Sequence, residues 1–351
     1  MRKFTTIALG VLLASAVPVD AQVYPDRIAS VVRERAGITR VERYQGNDQR
    51  ETQTERLTKT VRIGADGALD LSNISGDIVV TRGGGNDVTI EAVKTGRGRT
   101  AELAKQALDA VTVEIVERGN RVEVRARYPN RDETRRRNRR DFSASVAFTI
   151  TAPERARIIA SSISGDLSVT DIKGDLALET ISGDVSVANA GRVSKAKTAS
   201  GDVSITDTSI EGTMEAATIS GTMQLRNVKA RRLDVGSVSG DVVLQNVDCE
   251  RTDAQSISGD VRFTGPLVRG GRYDLGSHSG EVRVIISGNV GFELDASSFS
   301  GSVRTDFDLK TSGTEPASRG RARKSLSGTY GDGSAFLDLT TFSGSVIIAR
   351  Q

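Results

Sequence analysis

The chain has 351 residues, with 48 Lys and Arg against 45 Asp and Glu for a formal net charge of +3, 36 glycines, 4% aromatic residues, one histidine and one cysteine. A single His and a single Cys exclude a zinc centre of the usual ligands and any internal disulfide, and so small a charge bias points to no particular partner. Abundant glycine with scarce aromatics fits a β-rich fold with many corners and a narrow core better than a compact enzyme.

Residues 1–21 read as a secretory signal peptide: Arg2 and Lys3, an apolar run over 7–17, then Val19-Asp20-Ala21 as a small-residue cleavage site. No cysteine follows the apolar run, which argues against a lipoprotein anchor. No later stretch approaches the roughly 18–20 apolar residues of a spanning helix. The mature chain is therefore expected in the periplasm, at the cell surface or outside the cell, with no membrane span. Loss of Arg2, Lys3 and Asp20 takes the net charge from +3 to +2. Residues 22–56 follow as an N-terminal segment, with Ile28, Val31 and Val32 at helical spacing before Gly37, and then a polar stretch expected to be a flexible tether.

Residues 57–152 are expected to form an N-terminal β-rich cap. Within them Leu69, Leu71, Ile74, Ser75, Gly76, Asp77, Ile78 and Val80 match the repeat that dominates the rest of the chain. Strands are expected at 88–93, 111–116, 122–128 and 142–151, with Gly119-Asn120 as a hairpin turn and one short helix over about 100–110. Arg131, Arg135, Arg136, Arg137, Arg139 and Arg140 crowd one loop, and four more basic residues lie within 319–324. Both runs read as solvated loops, with Arg135, Arg136, Arg137, Arg139 and Arg140 the candidate contacts for an anionic partner. No aromatics are interleaved to stack on bases, so there is no specific nucleic-acid signal.

From 153 to 351 the chain repeats. Ser-Gly corners stand at Gly165, Gly183, Gly201, Gly221, Gly240, Gly259, Gly280, Gly301 and Gly344, with an outlying copy at Gly76. The steps from Gly165 onward are 18, 18, 20, 19, 19, 21, 21 and 43 residues, and a fixed period of this size marks a solenoid. Four places before each serine stands an apolar residue (Leu178, Ala196, Ala216, Val235, Ala254, Leu275, Ala296, Leu339), and three and five places after it stand pairs such as Val185/Val187 and Val242/Leu244. Spacing of two on both sides means two short strands per coil, each turning one face inward. The fold class is thus all-β, a β-solenoid of about nine coils of 18–21 residues. A hydroxyl column stands two places before the serine (Thr180, Thr198, Thr218, Ser237, Ser256, Ser277, Ser298, Thr341). Just before the serine is a bulkier one: Ile163, Ile181, Ala199, Ile219, Val238, Ile257, His278, Phe299, Phe342. The latter is out of phase with the inward set, so the chain must bend there, where glycine tolerates positive φ.

The repeated Ser-Gly-Asp-Val copies, the upstream Asn73-Ile74-Ser75-Gly76-Asp77-Ile78, the helix-bearing insert and the strand before Pro153 resemble the bacterial β-strand-repeat family known as putative adhesins, over roughly residues 57–351. The resemblance implies an exported or envelope-associated β-solenoid and supplies no catalytic residues.

The chemistry-bearing feature is an acidic column, Asp166, Asp184, Asp202, Asp241, Asp260 and Glu281. Its aspartates are weak calcium candidates, because repeated aspartates after glycine occur in calcium-binding rolls. The double-glycine nonapeptide of those rolls is missing here. Unit charges about 4.8 Å apart in water repel by only about 0.9 kcal/mol, against about 1 kcal/mol for one hydrogen bond to a turn N–H, so the column can stand as turn caps without a cation. His278 between Ser277 and Ser279 admits a Ser-His-Asp reading, but it occupies a column of bulky side chains and its centre does not match a nucleophile elbow. Cys249 reads as a small packed side chain. The sequence thus favours a non-enzymatic scaffold or adhesin without cofactor, its partner an envelope polysaccharide or another envelope protein. The alternatives are a polysaccharide-active β-helix enzyme and an envelope-stress or signalling accessory protein.

Overall fold

Alternating inward side chains form strands throughout a computed structural model that describes residues 50–129, 142–310 and 324–351. The chain opens with β1 (Glu51–Arg62), β2 (Ala68–Ser72), β3 (Ile78–Arg82) and β4 (Asp87–Gly98). The one helix among the described residues, α1 (Ala101–Asp109), then precedes β5 (Thr112–Arg118), β6 (Arg121–Arg127) and β7 (Phe142–Ala152). The helix starts where Thr100 turns its Oγ1 toward the Leu103 N–H, 3.3 Å away, as an N-cap. Gly119 takes φ +63 in the β5–β6 turn. β1 begins six residues earlier than the sequence suggested: residues 51–56 pair in register with 93–98 of β4, because the Thr- and Glu-rich run completes an antiparallel ladder that periodicity alone does not reveal.

The outlying copy at Gly76 is the first rung of the stack. β2 pairs in parallel with Arg157–Ser164 on one side and with β6 on the other. β3 pairs likewise with Leu167–Thr170 and with β7. β6 and β7 therefore stand where a preceding rung would be, and β4 and β1 add antiparallel layers outside β7. An open parallel edge is covered in this way.

Beyond it every rung pairs in parallel with equivalent residues of the next, as in Val185↔Val203, Val203↔Met223 and Met223↔Val242. The inward columns are buried throughout, including Leu178, Ala196, Ala216, Val235, Ala254, Leu275, Leu339 and Ala296. Two expectations change. Middle coils have three sides rather than two: within Met223–Ser239 the chain turns at Asn227, φ +54, and buries Val228 and Ala230 before Leu233. The same turn recurs at Asp171, Asn189, Asp207 and Asn246, residue types that accept the left-handed conformation. Their recurrence seven places after the serine is a sequence signal that the two-strand reading passed over.

The second change is in rung order. Ala335–Thr341 pairs with both Arg272–Ser277 and Phe292–Ser298, and Val346–Arg350 with both Val282–Ser287 and Val303–Thr305. The Gly344 rung is thus inserted between those of Gly280 and Gly301, out of chain order. The C-terminal strand gains a neighbour on each side, and the antiparallel strand Ser325–Tyr330 covers Phe292–Ser298.

Ten corners stack in one column among the described residues, Gly76-165-183-201-221-240-259-280-344-301. Positive φ explains only part of it: φ climbs from +110 at Gly76 to +156 at Gly240 and has left that range by Gly259. What holds at every rung is close approach. A Cβ added at Gly201 would overlap the carbonyl oxygen of Gly183, and one at Gly301 that of Gly344. Gly201→Ala is expected to lower the unfolding free energy by about 3 kcal/mol or more, whereas Gly212→Ala, with nothing within 4 Å of the added carbon, should stay within about 0.5 kcal/mol; denaturant titration of both variants tests the pair.

Candidate functional site

The Ser-Gly corner breaks the backbone ladder, and side chains repair it. At each corner the glycine carbonyl receives no N–H from the next rung. The hydroxyl column supplies the donor instead: Thr198 Oγ1 donates to Gly183 O at 2.9 Å, Thr218 to Gly201 O at 3.0 Å, Ser256 to Gly240 O at 3.0 Å and Ser298 to Gly344 O at 2.7 Å. The acidic column supplies the matching acceptor. Asp184 N–H donates to Asp166 Oδ1 at 2.9 Å, Asp202 N–H to Asp184 Oδ1 at 2.8 Å, Thr222 N–H to Asp202 Oδ1 at 2.7 Å and Asp260 N–H to Asp241 Oδ1 at 2.9 Å. Each carboxylate therefore caps the following rung rather than its own turn. Arg262 takes the remaining oxygens of Asp241 and Asp260, at 3.0 and 2.5 Å.

At the first rung Asn73 replaces the hydroxyl, its amide donating at 2.8 Å to both Gly76 O and Val146 O of β7. That joins the covering strand to the corner and leaves the next hydroxyl, Ser162 Oγ, buried without a partner.

The column just before the serine faces outward. Ile163, Ile181 and Ile257 are 47%, 49% and 46% exposed and Phe299 68%, with Ile74, Ile219 and Phe342 also exposed. Ala199 and Val238 fill intervening rungs half-buried, and His278 is exposed. A bend at the corner turns these side chains away from the core that the preceding alternation would have given them. The result is one straight apolar ridge beside the acidic column. At its C-terminal end the rings of His278 and Phe342 stack at 4.9 Å and 8°, and those of Phe342 and Phe299 at 4.7 Å and 6°. The bulky column is thus a surface feature, which the sequence marked as out of phase without showing its direction.

A second acidic column stands five places before the serine. Glu215, Asp234, Asp253, Asp274, Asp338 and Asp295 lie in register. Its signal is the recurrence of acids at one repeat position, overlooked beside the post-glycine column. Burial, and after it the neighbouring carboxylates, raise the pKa of Asp274; burial leads and Asp234 contributes for Asp253. Elsewhere Cys249 is buried, its thiol pKa pushed up by burial. An open groove of about 530 Å³ holds Arg155, Arg157, Lys173 and Arg192, of which Arg155 and Arg192 pair with Asp66 and Asp175 at 3.1 Å. Residues Arg135, Arg136, Arg137, Arg139 and Arg140 lie outside the described residues, as do the signal peptide and residues 22–49, whereas residues 51–56, expected as flexible tether, are strand. The described residues bring no three His, Cys, Asp or Glu side chains together as a metal site.

Two outcomes follow from these columns. Asp202→Ala should cost about 1–2 kcal/mol by stranding the Thr222 N–H, Asp202→Asn less, and millimolar calcium should leave the melting temperature of the wild type unchanged; a calcium-dependent rise equivalent to about 2.7 kcal/mol at a hundredfold excess over Kd would make the column a metal site. Asp274 holds its proton more tightly folded than unfolded, so stability falls as pH rises through its raised pKa. Asp274→Asn should therefore raise the melting temperature at pH 7, with the gain gone below the ordinary value of 3.8.

No curated protein matches the chain. Crystal structures similar to it include a putative adhesin from Parabacteroides distasonis (9% identity, 85% of this chain and 97% of that one, TM-score 0.47), one from Bacteroides fragilis (14%, 85% and 97%, 0.40) and one from Parabacteroides merdae (10%, 84% and 96%, 0.42). The profile of the Toastrack DUF4097 family matches residues 68–349, from the first strand of the stack to the last, and the chain belongs to that family.

Proposed function

We propose that the protein is an exported, envelope-associated, non-enzymatic β-solenoid that presents a long binding surface, with the apolar ridge as its contact line. In this reading residues 1–21 direct export, residues 22–56 are an N-terminal segment and tether whose last residues join β1, residues 57–152 cap one end, and the coils from 153 onward carry the surface. The single observation behind it is the ridge: exposed Ile and Phe side chains usually scatter over a soluble protein, and a contiguous apolar strip marks an interaction surface. The acidic column fits this role better than hydrolysis, since its carboxylates hold backbone N–H groups of the next rung, and a general acid or base must be available to substrate.

The partner is an envelope polymer or an envelope protein. Sedimentation of the mature protein with a purified envelope fraction tests where contact is made. Ile181→Arg with Ile219→Arg should weaken binding at least about tenfold, while Arg135→Gln, Arg136→Gln and Arg137→Gln together should leave it unchanged. The reverse pattern would move the contact to the arginine run and overturn the ridge reading.

A further inference from the structure

We infer that the ridge is a homodimer interface, in which a second copy of this chain lays its own ridge alongside, related by a two-fold axis running parallel to the solenoid. The inference rests on reading the ridge as a contact line and takes a second copy of this chain as the envelope protein that occupies it.

The first argument is spacing. Ridge residues recur once per rung from Ile74 to Phe299, and parallel in-register pairing fixes that interval at about 4.8 Å, over nine steps and about 43 Å. A partner that fills every rung must present apolar groups at the same interval over the same length. An α-helix, with its 5.4 Å pitch, falls out of step within a few turns. The ridge of a second copy matches at every position, which is the self-complementarity of an isologous contact.

The second argument is area. Counting the ridge with its flanking columns, three places before the serine to two places after it, the chain traces about 17 Å, an upper bound on the width because the corner bends. That gives at most roughly 700 Å² per copy, approaching the roughly 800 Å² per partner of a stable specific interface.

The third argument is charge, and it selects the axis. One flank is acidic: Asp77, Asp166, Asp184, Asp202, Asp241 and Asp260. The other, three places before the serine, is small and neutral at most rungs, as at Ser161, Ala217, Gly236, Gly276 and Ser297. A two-fold axis across the ridge would set acidic flank against acidic flank, which is repulsive where water is excluded. An axis along the ridge sets acidic against neutral at most rungs and Asp202 against Lys197, with Glu179 opposite Asp184 the exception. It also places each ridge residue beside the same residue of the second copy, so the His278-Phe342-Phe299 stack meets its own counterpart.

Analytical ultracentrifugation of the mature chain is expected to show a dimer, and Ile181→Arg with Ile219→Arg to weaken dimerisation at least about a hundredfold. Because these side chains lie outside the core, the melting temperature of the monomeric variant reports whether its fold is intact; Ile181→Ser with Ile219→Ser is the gentler replacement. Ala199→Cys and, separately, Val238→Cys should each be joined copy to copy by a short bis-maleimide, with the wild type, whose Cys249 is buried, as control. A monomeric wild type, or a dimer that survives both double variants, overturns the inference. A dimer in which only one of the two cysteine variants is joined overturns the two-fold axis. A monomer that still binds the envelope fraction through the ridge sinks the dimer alone, whereas a ridge-mediated dimer whose envelope binding ignores the same substitutions sinks the wider reading alone.

Discussion

The structure depends on how closely successive corners approach. Parallel rungs about 4.8 Å apart bring the carbonyl of one corner glycine to where the next glycine's Cβ would be, so only glycine lets the stack close. Closure has a consequence for hydrogen bonding. The peptide after the glycine drops out of the ladder, leaving one carbonyl and one N–H per rung without backbone partners, and buried polar groups in that state are costly. The Thr/Ser hydroxyls and the Asp carboxylates are the donor and acceptor that restore them. Glycine, hydroxyl and aspartate columns are therefore three parts of one device, and each is needed because of the other two.

The ends of the stack obey the same logic with different parts. At the first rung β7 stands in for a missing neighbour, and Asn73, longer than serine or threonine, reaches both its own glycine carbonyl and that of Val146. At the other end the chain delays its final rung, letting the strand Ser325–Tyr330 cover the outside before the C-terminal strands enter between two rungs already made. A parallel stack has open edges that template further strands, and both arrangements put non-repeating or antiparallel strands there.

The same corner creates the exposed ridge. Bending the chain so that glycine carbonyls can stack turns the preceding residue outward at every rung, and the chain fills that position with Ile, Val, Phe, Ala and one His. Nothing in the stacking requires these side chains to be apolar, since they face away from the core. Their chemistry is for that reason the part of the corner that the coil itself does not account for, whereas the aspartates beside them are explained by the coil.

Much of this was legible in the residues alone. The Ser-Gly period, the inward columns, the helix after Thr100 and the pairing capacity of the hydroxyls and aspartates are local patterns, and a repeat of identical rungs multiplies each one until it is unmistakable. The sequence by itself thus determined an all-β stacked coil, and its glycine column. Only the tertiary structure decided the three-sided section of the middle coils, the insertion of the Gly344 rung ahead of Gly301, the capping of each rung by the previous rung's aspartate, and the outward direction of the ridge. The reason is physical: rungs with equivalent apolar columns can stack in more than one order at nearly the same local energy, so edge protection and loop length choose among them. The direction of a corner side chain is set by backbone angles that only stacking against the neighbouring rungs imposes.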